Sequence, residues 1–424
     1  MNRRNFRLHW ASTAIVQTGS FFTLVAMPWL VMAISDDDPI AVTTVMATMT
    51  LPQGLCILLG GTLADRFSPL RLLFVSRIAF VAAMASFALL VFCGKATLTS
   101  VYLYALLLGT LGGIGVPAAQ ALLPAMLEKS ELGRANGLVM GTMQVTQVVG
   151  PILAGWLIWL GKGLQQGASA SADVDQRAVA FAFAVDAAAV ATAIALMSAM
   201  KLPQRPQRTA ALLPAFLQGL RFCWRDRGIR LVLAYLVLIS FFLQGPMLAS
   251  LPLYTKLTLG LAEAAYGTLY ATMGLGTIVG AAVAVWSAPD ARKLGSVVLC
   301  CDFLSGAGFN ALGSTGNPWL AGGLLFAMGI CAGVIMVAGM TWFQQRTPEQ
   351  YMGRVMGLLM FSIVGLMPLS ASLTGYLINS SSVGDVMRIA GSIVVVVSAI
   401  GLLLPAVRSM GDPPALTAEQ KNAS

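Results

Sequence analysis

The stretch GGTLADRFSPLR at 60–71 puts Gly61, Asp65, Arg66 and Arg71 at the end of a run of about twenty mostly apolar residues, Ile40 to Leu59. An acid there can accept hydrogen bonds from exposed amides at the end of a neighbouring helix, or pair with a base. A contact of that kind can close in one conformation and break in another, which is the chemistry of a latch. Three more ionisable groups lie deeper in apolar sequence: Asp186 in FAFAVDAAAVATA, Asp302 in VVLCCDFLSG, and Arg77. A charge at that depth is costly unless it is paired or faces water, so each is a functional candidate. For Asp186 and Asp302 two roles stand open, a structural hydrogen bond to a neighbouring helix end or carriage of a coupling proton. Arg77 lies one to two turns inside its run, where a long side chain can snorkel to the surface.

Other chemistry finds little support. The six cysteines at 56, 93, 223, 300, 301 and 331 form no CxxC pair and fall mostly within apolar runs, as buried small hydrophobes do. The single His9, beside Trp10, cannot build a zinc site. There is no GxxxxGK[ST] run to cradle a nucleotide. One His with dispersed carboxylates argues against a membrane enzyme, and no metal or cofactor is expected.

The elements that must position these groups follow from composition. Of the 424 residues, 57% are hydrophobic and 10% charged, and the mean hydropathy is +0.80, so the solvent to reason in is a lipid bilayer. A spanning helix needs roughly 20 apolar residues. Twelve such runs are expected near 10–34, 40–63, 70–92, 98–123, 137–160, 178–200, 229–251, 262–286, 294–312, 319–341, 355–378 and 386–407. Their length excludes a barrel, whose strands need only about ten residues with alternating polarity. The basic start MNRRNFRLHW resembles a secretory signal, but its apolar run of about 25 residues exceeds the ~7 to 15 of a signal, and it is taken as the first spanning helix.

Basic residues fix an expected orientation. With the N-terminus cytoplasmic, 21 of the 26 Lys and Arg residues fall in inner segments and five (Lys95, Lys162, Arg177, Lys256 and Arg388) in outer loops. Both termini are then inside, in a multi-pass protein of a bacterial inner membrane. The net charge of +9 is explained by short loops facing anionic lipid. No basic cluster of the sort that binds nucleic acid is present.

The longest polar stretch splits the helices six and six. The expected division is residues 1–200, a first six-helix half; 201–228, a cytoplasmic linker; 229–408, a second half; and 409–424, a cytoplasmic tail. Within the linker, Leu213, Phe216, Leu217, Leu220 and Trp224 follow helical spacing with Arg221 and Arg225 nearby, which predicts a short interfacial helix or, alternatively, a protein-docking one. A shift of 220 residues lays GRANGL at 133–138 on GRVMGL at 353–358, GWL at 155–157 on GYL at 375–377, SFF at 20–22 on SFF at 240–242, and Gly60 on Gly280. One offset shared across three helix pairs implies two halves of the same orientation related about the membrane normal.

Twelve helices in two parallel-repeated halves, with a basic middle loop, resemble the major facilitator superfamily. GGTLADRFSPLR resembles that family's signature between helices 2 and 3, matching at Gly61, Leu63, Ala64, Asp65 and Arg66, with Ser68 in place of Gly and Pro69 and Leu70 in place of bases. The second half keeps only Asp290, Arg292 and Lys293 of it, in SAPDARKLG. Helix 5 carries Gly137, Thr146, Gly150, Pro151, Ala154 and Gly155 at the spacing of the family's antiporter pattern, with Thr146 and Ala154 where the pattern has Gly. An Arg that drug antiporters of the family often carry in helix 4 is replaced by Ala105, four residues before Gly109. ELGRANGL at 131–138 and LQGLRF at 217–222 resemble the branch of macrolide-efflux and siderophore exporters.

The resemblance implies an all-α membrane fold with helices 1, 4, 7 and 10, flanked by 2, 5, 8 and 11, around a pathway. Polar and aromatic residues at mid-depth on those helices are Gln17, Phe21, Phe22, Gln144, Gln147, Phe241, Gln244, Tyr266, Tyr270 and Phe361, the expected substrate-cavity lining. It further implies a monomeric, proton-coupled exporter whose small-molecule substrate is a medium-sized amphipathic solute such as a siderophore or macrolide-like drug. Gly61, Asp65, Arg66, Arg71, Gly150 and Pro151 would serve as gating residues. An importer or lysolipid flippase of the same fold, and a non-transporting membrane sensor, are the alternatives.

Overall fold

The structure is a computed structural model that describes residues 3–66, 69–127, 129–163, 172–200, 221, 223–224, 226–287, 294–347, 355, 358–359, 361–363 and 365–404. Its described residues form helices α1 (Arg3–Ile34), α2 (Pro39–Arg66), α3 (Pro69–Phe92), α4 (Leu98–Met126), α5 (Lys129–Gly163) and α6 (Ala172–Ser198). The second half comprises α7 (227–258), α8 (Glu263–Ser287), α9 (Leu294–Leu312), α10 (Pro318–Arg346), α11 (Met367–Ser380, preceded by helical turns at 358–359 and 361–363) and α12 (Val383–Leu403). Among the described residues, eleven are long and apolar enough to cross a membrane; α2, the remaining helix, is 28 residues long. In lipid a helix satisfies its own backbone, so continuous apolar sequence is enough to specify it.

Short polar residues set the ends. Thr97 and Ser100 form a reciprocal cap at the start of α4, Asp226 accepts from the amide of Ile229 to start α7, and Asn317 accepts from the amide of Trp319 one residue before Pro318 opens α10. Asp36 and Asp37 turn the chain between α1 and α2 with φ of 51° and 64°, a left-handed conformation that Asp tolerates.

Two helices depart from the regular runs expected of them. The run at 229–251 extends to 258 as α7 and contains two widened turns, Ser240–Gln244 and Tyr254–Thr258, in which the amides of Gly245 and Leu259 reach five residues back. The run at 355–378 is interrupted at Gly365 and Leu366 before α11 begins. Pro368 suits the fresh start: in the first turn of α11 its missing amide is not needed and its fixed φ is already helical. The interfacial helix expected around 213–224 falls mostly outside the described residues; Cys223 is buried and Trp224 is exposed beneath the Arg230 guanidinium.

Packing repeats along the chain. Helix α2 packs on α4, α1 on α5, and α3 on both α4 and α6. Six helices on, α8 packs on α10, α7 on α11, and α9 on both α10 and α12. Between the halves the main contacts are α5 with α8 and α2 with α11, a pair of contacts that exchange under the same rule. Each half is thus a copy of one helix arrangement, as the 220-residue offset implies.

Candidate functional site

All odd-numbered helices start at the end of the bundle that holds the N-terminus; the other end, with the Asp36–Asp37 turn, is called the far face. Close approaches between the halves gather from the midplane to the far face. A side chain on Gly155 of α5 would lie 2.8 Å from the Ala264 backbone of α8, Gly267 of α8 abuts the Pro151 carbonyl, and Gly375 of α11 abuts Thr43 of α2. Only glycine allows backbones this near. Above them, Lys256 at the end of α7 pairs with Asp37.

Aromatic side chains fill the seam beneath that closure. Trp29 of α1 stacks on Tyr266 of α8 with ring centroids 5.5 Å apart. Tyr266 and Phe21 each meet Tyr270 at 6.2 Å. Gly150 makes room for Phe21, whose ring carbon would stand 2.5 Å from any added Cβ. Gly150 and Pro151 are therefore built into the contact of α5 with both α1 and α8.

Below this seam lies a cavity of about 500 Å³, lined by α7, α8, α9, α10 and the turns before α11. Among the described lining residues, Gln147 alone comes from the first half. The lining is largely apolar, with Met247, Met273, Met328, Met336 and Met340 prominent, and Trp342 and Phe343 contribute aromatic surface. Tyr235, Gln244, Tyr270 and Asp302 supply polar atoms. The Tyr235 hydroxyl donates to Asp302 at 2.9 Å and lies 3.1 Å from the Ser398 hydroxyl, so one network joins α7, α9 and α12.

Asp186 stands elsewhere. It is 1% exposed, accepts from the Thr23 hydroxyl of α1 at 2.6 Å, and has no partner among the described residues for its other carboxyl oxygen. That oxygen lies against Gly19, where an added Cβ would come within 2.5 Å. Asp186 thus holds α6 to α1 and does not line the cavity. Arg77 is buried between α1, α3 and α6, donating to the Ser12 hydroxyl at 3.4 Å. The expectation that it snorkels to the surface is corrected: Ser12 and the Met197 sulfur hold its guanidinium inside the bundle.

Of the sequence-derived cavity residues, Gln147, Gln244 and Tyr270 line the cavity. Phe21 and Tyr266 belong to the aromatic seam, and Phe22 is buried in the core. Gln17 borders a small crevice with Trp10, Thr142 and Met143. Gln144 and Phe241 are half-buried and Phe361 is exposed, all away from that lining. Of the gating residues, Arg71 is exposed; the side chains of Gly61, Asp65 and Arg66 lie outside what is described, as do Asp290, Arg292 and Lys293. Tyr235, Thr23, the Lys256–Asp37 pair and the methionine lining were not singled out from sequence. A lone Tyr in the apolar run RLVLAYLVLIS is the one of these that stands out, because a buried phenol needs a partner.

Comparison with known proteins agrees with this geometry. Residues 10–369 match the model of the family described as Major Facilitator Superfamily. An uncharacterized MFS-type transporter, y4rN, of Sinorhizobium fredii is 25% identical over 415 residues, covering 97% of this chain and 95% of that protein. The enterobactin exporter EntS of Citrobacter koseri is 27% identical over 372 residues, covering 84% and 82% of the two chains. Among solved structures, a bacterial homologue of the human lysosomal transporter Spinster, in an inward-facing and unoccupied conformation, superimposes with a TM-score of 0.72 at 13% identity over 98% of this chain and all of the other. A D-xylose-proton symporter gives 0.71 at 12% identity, covering 96% and 99%.

Proposed function

The chain belongs to the major facilitator superfamily, and from that premise we propose that it is a proton-coupled exporter that moves a medium-sized amphipathic solute, such as a siderophore or macrolide-like compound, out of the cell by alternating access. It is a multi-pass membrane transporter; direction, coupling and substrate are the proposed part. The observation that carries the reading is Asp302, an ionisable group in the wall of a cavity of about 500 Å³ that lies beneath the glycine contacts between the halves. The antiporter-like spacing in α5 and the similarity to enterobactin exporters support the outward direction.

With the N-terminus in the cytoplasm, the far face is external and the cavity opens inward to collect its solute. Rocking of the two six-helix halves, 1–200 and 229–408, about the seam would separate α5 from α8 and α2 from α11. The same motion would bring together the cytoplasmic ends, where the Asp65 region acts as latch. A proton entering from outside would reach Asp302, and its release inside would reset the cycle. Tyr235 holds the carboxyl in place for that exchange. Transport of this kind needs no second subunit, so the working unit is taken as a monomer.

Export from loaded proteoliposomes, with a panel of siderophores and macrolides and with or without an imposed proton gradient, tests the reading. Gradient-stimulated export of at least one of these solutes is expected; export indifferent to the gradient for every solute would overturn the coupling.

A further inference from the structure

We infer that Cys301 of α9 and Cys331 of α10 form a dithiol site at the edge of the cavity that captures a neutral aryl arsonous acid, one arsenic binding both sulfurs and the aryl group lying on the apolar wall. The inference goes beyond the proposed export function and does not depend on which solute the cavity carries. Its ground is the contact between the two thiols. They come from different helices that pack together, both are free, and their side chains are in hydrogen-bond contact. The Ser305 hydroxyl donates to the Cys301 carbonyl at 2.8 Å and also reaches the Cys331 thiol, so it sets α9 on α10 at this point.

Helical spacing turns both thiols toward the cavity. Cys301 follows Val298 by three residues and precedes Ser305 by four; Cys331 follows Met328 by three and precedes Ile335 by four. All four of those neighbours line the cavity, and residues three and four apart share a helix face. Cys331 is 7% exposed and Cys301 is half-buried, which puts the pair just behind the lining. Among the described residues no group of three or more His, Cys, Asp or Glu side chains is placed to hold a metal ion, so a four-ligand zinc site is not on offer. Two thiols suit a soft centre that needs only two sulfurs. A ligand without charge enters a largely apolar cavity with little desolvation cost, and flexible, polarizable methionines adapt to an aryl ring.

The chemistry is a condensation. Each thiol displaces one hydroxyl of the arsonous acid: two arsenic–sulfur bonds form, two arsenic–oxygen bonds break, and each thiol proton leaves with its hydroxyl as water. Arsenic stays trivalent, and no oxidant is consumed. Once the first bond has formed the second is intramolecular, so the pair holds arsenic far more tightly than either thiol alone. The product staples α9 to α10 and leaves the aryl group in the cavity.

The test treats purified protein in nanodiscs, reduced and then freed of reductant, with phenylarsine oxide, and reads the adduct by intact-protein mass spectrometry. A single phenylarsenic per chain is expected to survive excess 2-mercaptoethanol and to be removed by 2,3-dimercaptopropanol. In Cys301→Ser and in Cys331→Ser the monothiol concentration that strips half of the label should fall at least ~100-fold. Replacing Cys56, Cys93, Cys223 and Cys300 together by Ser should leave the label as firmly held as in the wild type. A label that the monothiol strips readily from the wild type would overturn the inference. So would a firm label in Cys331→Ser, which would transfer the site to Cys300 and Cys301, adjacent residues that do not face each other on a helix. Labelled protein that exports as fast as unlabelled protein would overturn the placement of the aryl group in the cavity. Because the mass readout does not pass through transport, a firm label on a protein that exports none of the siderophores or macrolides would sink the export reading and leave the dithiol site standing.

Discussion

Asp186 and Asp302 share a residue type and a depth but not a setting, and the setting separates their roles. Asp302 meets a phenol and the cavity; Asp186 meets a threonine and a glycine inside a helix contact. Asp302→Asn is therefore expected to abolish gradient-stimulated export while solute counterflow persists, and Asp186→Asn to keep gradient dependence, both measured in proteoliposomes. Loss of coupling in Asp186→Asn alone would reverse the assignment. Thr23→Val removes the one hydrogen bond that the buried Asp186 carboxyl accepts among the described residues and should cost about 1–3 kcal/mol in thermal or denaturant unfolding. Gly19→Ala drives a methyl into the same carboxylate and should cost a similar ~1–3 kcal/mol through overpacking. The depth of both acids can be read directly from their apolar flanks. Which acid faces a cavity cannot, because that depends on the rotation of α6 and α9 about their axes, and helices apolar on every side carry no polar stripe to report it.

Helix existence was legible for the same reason that rotation was not. Continuous apolar sequence specifies a spanning helix, and all twelve expected runs have a helical counterpart among the described residues. The irregular turns of α7 left no comparable signal. The first of them, Ser240–Gln244, lies where Gly245 packs onto Met367 and Ser370 of α11 and the Ser370 hydroxyl donates to the Phe241 carbonyl, a tertiary contact that no local pattern announces. The glycines of α5 were legible as a spacing, and the structure gives two of them distinct partners: Gly150 faces Phe21 and Gly155 faces Ala264. Gly155→Leu should hold α5 off α8 and bias the protein toward an open far face. In a variant with native cysteines replaced, labelling of Gln244→Cys by an impermeant thiol reagent added from outside should rise at least ~10-fold, since forcing a bulky group into a close contact costs typically 1–3 kcal/mol. Unchanged labelling would mean that this contact does not hold the far face shut.

At the scale of the whole molecule, the exchange of α5·α8 for α2·α11 means that the two sides of the far-face closure are built alike from backbone approach at small residues. The Lys256–Asp37 pair lies outside that symmetry, and both side chains are 36% exposed. Exposed pairs contribute roughly 0–1 kcal/mol, so its loss should shift the balance between closed and open far face by no more than ~5-fold. Steric disruption at Gly155 or Gly375 meets backbone or a helix-bound hydroxyl and has no such ceiling. The ranking that follows is specific: in the same labelling assay, Asp37→Asn and Lys256→Gln should each give a small increase, attenuated at high salt in the wild type because salt already screens the pair. The double variant should match either single one, since removing one partner removes the interaction, and Gly375→Val should exceed all three. If the charge variants instead equal or surpass the glycine variants, the far face is held electrostatically, and the seam of glycines and aromatic rings serves only to align two halves that a single ion pair keeps closed.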